Sequence, residues 1–151
     1  MEPTTDLKIA VLIPCYNEGK PIANVVRDFR AALPDADIYV YDNNSTDNTV
    51  EAARDAGAIV RTEAQQGKGN VVRRMFADVD ADVYVMVDGD NTYEAQAAPA
   101  LVNKLIDETL DMVSGCRVTD IQEAYRPGHR FGNWMLTGLV AGIFGNRTKD
   151  M

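Results

Sequence analysis

Short apolar runs alternate along the chain with stretches whose apolar residues recur at helical spacing. A continuous apolar run such as 8–14 (KIAVLIP) is typical of a strand that is buried on both faces. The next stretch repeats apolar side chains every three or four residues from Ile22 to Leu33, which predicts an amphipathic helix beginning near Pro21. By the same criteria, strands are predicted at 8–14, 38–41, 58–61 and 83–87, with a further candidate at 111–115.

The remaining helices are predicted from the same spacing and from their end signals. Residues 46–56 indicate a helix, with Ser45 or Thr46 as its cap and Gly57 just past its end. Further apolar stripes at 71–79 and 101–106 complete the pattern. Strand alternating with helix predicts an α/β domain, in which a mostly parallel sheet is covered by helices on both faces.

Polar residues are concentrated where the predicted strands end. They follow the first, second and fourth strands as the segments 15–18, 42–47 and 88–93. In mostly parallel sheets the ligand lies beyond the carboxyl ends of the strands. These segments are therefore the candidate binding site.

The segment Asp88-Gly89-Asp90 is the strongest candidate for chemistry. It places two carboxylates one residue apart after a buried strand, with a glycine that lets the chain turn. Together they can address a hard cation such as Mg²⁺ or Mn²⁺, which prefers carboxylate oxygen and bound phosphate. A solvated turn would use the same residue types, but the position directly after the run 83–87 favours a site.

Other segments carry weaker signals. Glu18 and Asp42 follow predicted strands, where a carboxylate can accept hydrogen bonds from a ribose or a base edge, or can cap a helix or turn. Gly67-Lys68-Gly69 opens a predicted helix and suits an anionic phosphate, although the spacing of a P-loop is absent. An ordinary loop before a helix would have the same composition.

Composition narrows the class of protein. With 151 residues, 46% of them hydrophobic and 25% charged, the chain fits one soluble domain and excludes disordered and disulfide-scaffold classes. Its net charge of -8 would repel nucleic-acid phosphates, so no nucleic-acid partner is expected. Cys15 and Cys116 are expected to be reduced, buried thiols. No secretory signal precedes the first strand and no run is long enough to span a bilayer, which favours the cytoplasm.

The end of the chain differs in charge from the rest. Residues 1–116 carry 10 basic and 20 acidic groups, whereas 117–151 carry 5 basic and 3 acidic groups. The guanidinium groups of this last part, on Arg117, Arg126 and Arg130, are suited to binding phosphate.

Two other features of this last part have open interpretations. His129 is assigned to a solvated or phosphate-side role rather than to base catalysis, because it lies among arginines. The uncharged stretch 131–145 predicts an apolar helix, too short to span a bilayer. That helix is either buried in a larger core or lies at a membrane surface, with basic residues at its entrance.

Together these segments resemble the family 2 glycosyltransferases with the GT-A fold, and most strongly their dolichyl- and polyprenyl-phosphate sugar synthase branch. Their order and spacing match the family over residues 8–117, and four ordered motifs are far more specific than one. The motifs are Ile13-Pro14-Cys15-Tyr16-Asn17-Glu18, Asp42-Asn43-Asn44-Ser45-Thr46-Asp47-Asn48-Thr49, Gly67-Lys68-Gly69-Asn70 and Asp88-Gly89-Asp90.

The resemblance implies an inverting transfer of a sugar from a nucleotide-diphosphate sugar to a lipid phosphate or a related glycan acceptor. Asp88 and Asp90 would hold Mg²⁺ or Mn²⁺, with Asp90 as the firmer ligand, and Asp90 and Arg117 would be the catalytic residues. Because a phosphate acceptor is already an anion, no strong general base is expected. The positions implied for binding the nucleotide sugar are Pro14, Tyr16, Glu18, Asp42, Asn44, Lys68, Asp88, Gly89 and Asp90.

Two features depart from the family pattern. Thr92 stands where relatives often carry a residue that assists the metal, and the chain stops within what resembles the start of a further conserved segment. The expected organisation is therefore a tail at 1–7, the nucleotide-sugar-binding half of a GT-A domain at 8–117, and an incomplete acceptor side at 118–151.

Two other functions stay open at this point. A sugar-phosphate nucleotidyltransferase also uses a nucleotide, a metal and an α/β sheet, but it would need a glycine- and arginine-rich loop after the first strand. A non-catalytic nucleotide-binding module would result from an incomplete acceptor side. The expected partners are the sugar donor, a lipid-phosphate or glycan acceptor, and a membrane at its cytoplasmic face, and an oligomer is compatible with the sequence.

Overall fold

A computed structural model of the chain describes residues 7–115. The chain divides into two compact units, Met1–Val113 and Ser114–Met151, and all the helices and strands of the described residues belong to the first. In chain order these are β1 (Ile9–Cys15), α1 (Ile22–Ala32), β2 (Asp37–Asp42), α2 (Thr49–Asp55), β3 (Ile59–Thr62), α3 (Lys68–Asp78), β4 (Val83–Met86), a short 3-10 turn (Ala95–Ala97) and α4 (Ala98–Asp107).

The strands form a four-stranded parallel sheet in the order β3-β2-β1-β4. β1 is a central strand, with β2 on one side, where Cys15 lies opposite Asp42, and β4 on the other. Every residue of β1 after Ile9 is buried, as expected for a strand covered on both faces. The predicted α/β class with a parallel sheet is confirmed.

Each face of the sheet has its own hydrophobic core. On one face Val11 and Ile13 of β1 pack in a core with Phe29 of α1. On the other face Leu12 packs in a core with Met75 of α3. Because successive side chains of a strand point to opposite faces, the odd-numbered residues of β1 enter one core and the even-numbered residues enter the other.

Asp78, the last residue of α3, ties this helix to β2 and β3. Its carboxylate accepts hydrogen bonds from Arg74 Nε at 2.7 Å and from the Tyr41 hydroxyl at 3.4 Å. Arg61 of β3 donates to the Tyr41 oxygen at 3.2 Å and to the Asp78 carbonyl at 3.2 Å. These bonds hold α3 along the sheet, so that its first residue, Lys68, lies at the carboxyl edge of the strands.

The ladder between β1 and β4 ends before β1 does. The Leu12 carbonyl accepts a hydrogen bond of 3.1 Å from the Val87 N–H, so Leu12 faces β4. Pro14 is the next residue of β1 to face this way, and proline has no N–H to donate. On its other side β1 stays paired with β2 as far as Cys15 and Asp42. Pro14 therefore cannot extend the ladder toward β4 with a hydrogen bond of its own.

Two predicted elements differ from the structure. α2 begins at Thr49 rather than at residue 46, because Asp47 Oδ1 accepts the Thr49 N–H at 3.0 Å in a turn that precedes the helix. The predicted strand at 111–115 is wrong. No ladder joins it to the described strands, Met112 is 80% exposed, and Thr109 turns the chain out of α4 with φ of 51°.

Several predictions fall outside the described residues. These are the apolar helix at 131–145 and the side chains of Cys116, Arg117, Arg126, His129 and Arg130. The proposed segment boundaries at 1–7, 8–117 and 118–151 stay predictions. The other cysteine, Cys15, is a free thiol and is 3% exposed, which confirms that it is buried.

Two isoleucines provide a matched test of the central strand. Ile13 of β1 is fully buried, whereas Ile59 of the edge strand β3 is 42% exposed. Ile13→Ala should reduce the free energy of unfolding by about 2–5 kcal/mol, because it leaves a cavity between sheet and helix. Ile59→Ala should cost less than about 1 kcal/mol, because much of its side chain stays in water. Urea unfolding of both variants checks this, and equal losses would contradict the assigned core.

Candidate functional site

A cleft of about 200 Å³ lies at the carboxyl edge of the sheet. Its walls come from the segments after β1, β2 and β4 and from the start of α3. The residues that line it are Pro14, Cys15, Tyr16, Glu18, Asn43, Lys68, Val71, Asp88 and Asp90.

The structure brings most of the predicted site residues together. Of the predicted binding positions, the cleft contains Pro14, Tyr16, Glu18, Lys68, Asp88 and Asp90. Three others take different places in the same region: Asp42, Gly89 and Asn44. Arg117, predicted to be catalytic, lies outside the described residues.

The loop after β1 is held by hydrogen bonds from the loop after β2. The backbone N–H groups of Asn17, Glu18 and Gly19 donate in turn to Ser45 Oγ at 2.8 Å, Thr49 Oγ1 at 2.9 Å and Asp47 Oδ2 at 3.0 Å. In return, Asn17 Oδ1 accepts the Thr46 N–H at 2.8 Å. We call this set of bonds the loop clamp, and it determines where Glu18 lies.

The Asp47 carboxylate accepts hydrogen bonds from both Gly19 and Thr49 in the loop clamp. Its Oδ1 accepts the hydroxyl of Thr49, which in turn accepts the Glu18 N–H. These hydrogen bonds lower the pKa of Asp47, with the Thr49 hydroxyl as the largest cause, and the carboxylate is therefore ionised when it clamps the loop. A Cβ on Gly19 would collide with Asn48 Oδ1 and stand 2.9 Å from Asp47 Oδ2, so a larger residue there would displace these side chains of the loop after β2.

Asparagine allows three of these loops to reverse direction. Asn17, Asn44 and Asn91 follow β1, β2 and β4, and their φ angles are 55°, 66° and 62°. Asparagine tolerates this left-handed region better than most side chains do. The three turns keep the cleft residues at one edge of the sheet.

Asp42 lies beneath the cleft rather than in its wall. It is 4% exposed, at the end of β2, and its Oδ2 accepts the Ser45 N–H at 3.2 Å. Its Oδ1 is buried and has no hydrogen-bond partner among the described residues. A buried carboxylate oxygen is costly to leave unpaired, so this atom would be stabilised by a hydrogen-bond donor.

Asn44 points away from the cleft. It is exposed, and its amide donates to the Ala64 carbonyl at 3.0 Å in the loop before α3. Through this contact the Asn44 side chain supports the loop before α3. Asn44 is not among the residues that line the cleft. Its predicted contact with the nucleotide sugar stays a prediction.

Glu18 lies in an acidic and partly buried position. Burial raises the pKa of its carboxyl group above the usual value, the Cys15 thiol beside it lowers that pKa, and Asp90 and Asp88 raise it further. Its Oε2 is buried without a hydrogen-bond partner in the described part of the chain. Burial also raises the pKa of Cys15, and Glu18 adds to that increase, so this thiol stays protonated.

Gly89 allows the segment after β4 to approach the loop after β1. A Cβ at this position would collide with Glu18 Oε2 and would stand 2.6 Å from Cys15 Sγ. The glycine is therefore required for space, and it brings the backbone between Asp88 and Asp90 against Glu18. This gives Gly89 a steric role in forming the cleft.

The two aspartates after β4 have different partners. Asp88 forms an ion pair with Lys68, which reaches it from the first residue of α3. Asp90 is exposed, and its Oδ1 accepts the Thr92 hydroxyl at 2.7 Å and the Thr92 N–H at 3.1 Å. Thr92, which departs from the family pattern, thus holds the Asp90 carboxylate in one orientation.

The donor set fits a divalent cation that is shared with a phosphate ligand. Within residues 7–115 no cluster of three or more metal-type side chains forms a complete site. Mg²⁺ is commonly bound by one or two carboxylates plus substrate phosphates rather than by a cage of protein ligands. Asp88 and Asp90 could supply such carboxylates, and Glu18 Oε2 and Asp42 Oδ1 are further oxygens without a hydrogen-bond donor among the described residues.

Three structural residues of the site carry weak sequence signals. Cys15, Asn43 and Thr49 line or support the cleft, but the sequence interpretation assigns them no role. All three residues lie within the first two family motifs, and this was the sequence signal that could have identified them. Motif membership does not show which side chains face the ligand and which bind the neighbouring loop.

The fold and the acidic cleft define an α/β protein whose ligand site lies beyond the carboxyl ends of its parallel strands. The sequence model described as Glycosyl transferase family 2 matches residues 10–146, which include the whole cleft. The chain belongs to glycosyl transferase family 2, and the predicted family is confirmed.

Three relatives illustrate this membership. Protein RfbJ of Shigella flexneri is 61% identical over 123 residues, which are 81% of this chain and 95% of RfbJ. Glycosyltransferase AglJ of Haloferax volcanii is 39% identical over 99% of this chain and 49% of its own length. A dolichyl-phosphate hexose transferase of the same organism is 32% identical over 94% of this chain and 62% of its own length. The chain thus spans nearly all of RfbJ but about half of AglJ.

Solved structures agree with the fold. Glucosyl-3-phosphoglycerate synthase from Mycobacterium tuberculosis, in complex with Mn²⁺, UDP-glucose and glycerol 3-phosphate, is 28% identical with a TM-score of 0.60, over 66% of this chain and 40% of the synthase. Its complex with Mn²⁺, UDP and phosphoglyceric acid has a TM-score of 0.69 over 91% of this chain and 49% of the synthase, at 24% identity. The predicted GT-A fold is confirmed. Between residues 7 and 115, no helix has the length and apolarity needed to cross a membrane.

Removing one hydroxyl should release the loop clamp. Thr49→Val keeps the shape of a fully buried side chain but leaves the Glu18 N–H without its acceptor. We expect a loss of about 1–3 kcal/mol in the free energy of unfolding and faster hydrogen exchange at the Glu18 amide. Thr46→Val is the control, because its exposed hydroxyl forms only a 3.4 Å bond and should contribute less than about 0.5 kcal/mol. Equal effects of the two variants would contradict the loop clamp.

Two glycines separate crowding at the cleft from the general effect of adding a methyl group. Gly89→Ala should displace Glu18 and destabilise the protein by about 1–3 kcal/mol, because the new Cβ has no room. Gly69→Ala places its Cβ in open space on α3 and should be neutral or stabilising by up to about 1 kcal/mol. Thermal unfolding of both variants tests this, and a Gly89→Ala protein as stable as the parent would show that Glu18 is misplaced.

Proposed function

We propose that this protein transfers a sugar from a nucleotide-diphosphate sugar to a lipid phosphate, with inversion at the sugar carbon. The observation that supports it is the meeting of Glu18, Lys68, Asp88 and Asp90 in one cleft at the carboxyl edge of the sheet, in a chain of glycosyl transferase family 2. Likeness to a dolichyl-phosphate hexose transferase supports the lipid-phosphate acceptor.

The nucleoside would occupy the part of the cleft next to β1. Tyr16 is 50% exposed at its rim and offers an aromatic face to a base, with Pro14 beside it. Glu18 would accept hydrogen bonds from the ribose or the base, and the unpaired Oδ1 of Asp42 would accept one from below. The unpaired oxygens thus gain donors when the nucleoside enters.

The diphosphate would lie between the start of α3 and the segment after β4. Lys68 is the described cation that lines the cleft, and it stands at a helix N-terminus, where exposed N–H groups favour an anion. Asp88 and Asp90 would hold Mg²⁺ or Mn²⁺, which would neutralise charge on the departing nucleoside diphosphate. Arg117 is proposed to act on the same phosphate side.

The residues of the cleft favour breakage of the bond between the sugar carbon and the diphosphate oxygen. Lys68 stabilises the negative charge that develops on that oxygen, while the carboxylates orient the donor. An oxygen of the acceptor phosphate forms the new bond to the sugar carbon from the opposite side, which inverts its configuration. Because that oxygen is already anionic, the cleft needs no histidine or other strong base.

A lipid phosphate is presented at a membrane, so we propose that the protein works at the cytoplasmic face of one. The donor would come from the cytoplasm and the acceptor phosphate from the lipid headgroups. The predicted apolar helix at 131–145 is the proposed contact with that surface, with Arg126 and Arg130 at its entrance. No partner nucleic acid is proposed.

Nucleotide binding tests the donor side of the proposal. UDP, GDP, CDP and dTDP, each with Mn²⁺ or Mg²⁺, should raise the melting temperature for at least one base, since a ligand that binds only the folded state stabilises it. Asp90→Asn should weaken the metal-dependent affinity for that nucleotide at least about tenfold. Asp107→Asn, an exposed carboxylate of α4 that does not line the cleft, is the control and should bind as the parent does.

The proposed lipid-phosphate acceptor is tested by a sugar-transfer assay with the full chain. Radiolabelled sugar should move from the nucleotide sugar of the preferred base to polyprenyl phosphate in vesicles, and Asp90→Asn should lose this transfer. Nucleotide binding without any transfer would favour the non-catalytic binding module. Metal-dependent affinity that is equal in Asp90→Asn and the parent would overturn the metal assignment.

A further inference from the structure

We propose that Asn43 is a positioning residue that holds Lys68 at the phosphate side of the cleft. The inference rests on the proposed function, because it assigns Lys68 to the diphosphate of the donor. Asn43 lies in the segment between the predicted ligands Asp42 and Asn44, yet its side chain makes more polar contacts within the protein than either of theirs.

The Asn43 side chain binds the loop that leads into α3. Its Nδ2 donates to the Glu63 carbonyl at 2.8 Å and to the Gln65 carbonyl at 2.9 Å, and its Oδ1 accepts the Gly67 N–H at 2.7 Å. The amide thus binds every second residue of this loop. Asn43 is 5% exposed, so water does not compete for these hydrogen bonds.

The backbone of Asn43 is held as firmly as its side chain. Its N–H donates to the Cys15 carbonyl at 2.9 Å, which continues the pairing of β1 with β2 beyond the last paired strand residues. Asn43 therefore connects the rigid centre of the sheet to the loop 63–67. A displacement of this loop would require breaking bonds to a buried side chain.

The backbone conformation of Gly67 determines where α3 begins and therefore where Lys68 lies. Gly67 has φ of 125°, a conformation that L side chains rarely adopt, and a Cβ there would meet nothing closer than Asn70 Nδ2 at 3.6 Å. The glycine is therefore needed for its backbone angle rather than for space. Its carbonyl accepts the first helical N–H groups of α3, so the direction of the helix is determined where the Asn43 bond holds Gly67.

Lys68 follows directly and forms its ion pair with Asp88 across the cleft. Both of its neighbours are glycines, which offer no side-chain packing to orient it. The long lysine side chain is 59% exposed, and its position depends on where the backbone of α3 begins. Asn43 lines the cleft, but its side-chain amide is engaged by the loop 63–67. We infer that Asn43, through this loop and Lys68, controls how strongly the protein binds the diphosphate.

Binding of mono- and diphosphates separates positioning from general stability. Whichever of UDP, GDP, CDP and dTDP stabilises the parent most is titrated, together with its monophosphate, against the parent, Asn43→Ala and Asn43→Asp. Asn43→Asp keeps the size of the side chain and the acceptor for Gly67, but it turns a carboxylate oxygen toward two carbonyl oxygens. Both variants should lose about tenfold in affinity for the diphosphate and less than about twofold for the monophosphate.

Two further variants complete the experiment. Lys68→Met should show the same selective loss, and combining it with an Asn43 variant should add little, since both remove one interaction. Asn70→Ala removes a 3.1 Å bond from another asparagine to the Gln66 carbonyl of the same loop and should bind as the parent does. In the ligand-free protein, Gly67 amide exchange should be faster in Asn43→Ala than in Asn70→Ala.

The outcomes distinguish this inference from the proposed function. If the parent binds a diphosphate but the Asn43 variants bind it equally well, or lose mono- and diphosphate affinity to the same extent, Asn43 has a structural role alone. Independent, multiplying losses from Asn43 and Lys68 would overturn the inference in the same way. A parent that binds none of UDP, GDP, CDP and dTDP in the presence of Mn²⁺ or Mg²⁺ would overturn the proposed function and, with it, the inference.

Discussion

Pro14 lies in the central strand at the point where β1 would otherwise continue to pair with β4. Without an N–H it cannot extend that ladder, whereas β1 remains paired with β2 through Cys15 and Asp42. Pairing at the end of β1 is therefore asymmetric, and the segment after β4 instead packs against Cys15 and Glu18 at Gly89. Every cleft residue then depends on how the loops at this edge are tied to the part of the sheet that stays paired.

Negative charge is the second constraint on the site. Glu18, Asp88 and Asp90 line a cleft in which Lys68 is the described cation, and Asp42 lies buried beneath. Such a cluster is unfavourable in isolation, as the raised pKa of Glu18 shows, with burial as its main cause. A divalent cation and the hydroxyl or N–H donors of a nucleoside would relieve it. The site is thus stable as a structure because loop hydrogen bonds hold it, and it is electrostatically incomplete until a ligand of that chemistry binds.

The sequence predicted the parts of this arrangement that depend on local pattern. The apolar runs identified all four strands, and the polar segments after β1, β2 and β4 identified the edge that carries the cleft. It could not show that Asn43 is buried while Asn44 is exposed, although both side chains bind the loop before α3, because both residues are equally suited to a turn. The loop clamp was equally hidden, since its partners Glu18 and Thr49 are separated by 31 residues. At 111–115 the pattern misled, because a strand also needs a partner edge, which composition does not reveal.

The central claim is that the cleft between β1 and β4 binds a nucleoside diphosphate together with a divalent cation at Asp88 and Asp90. The most direct measurement is a crystal structure of the full chain grown with Mn²⁺ and the nucleoside diphosphate of the preferred base, with anomalous data for manganese. The claim predicts one strong anomalous peak within coordination distance of the Asp90 carboxylate and a phosphate oxygen, with Lys68 displaced from Asp88 toward the diphosphate. A nucleotide bound elsewhere, or bound in the cleft with no manganese at either aspartate, would contradict it.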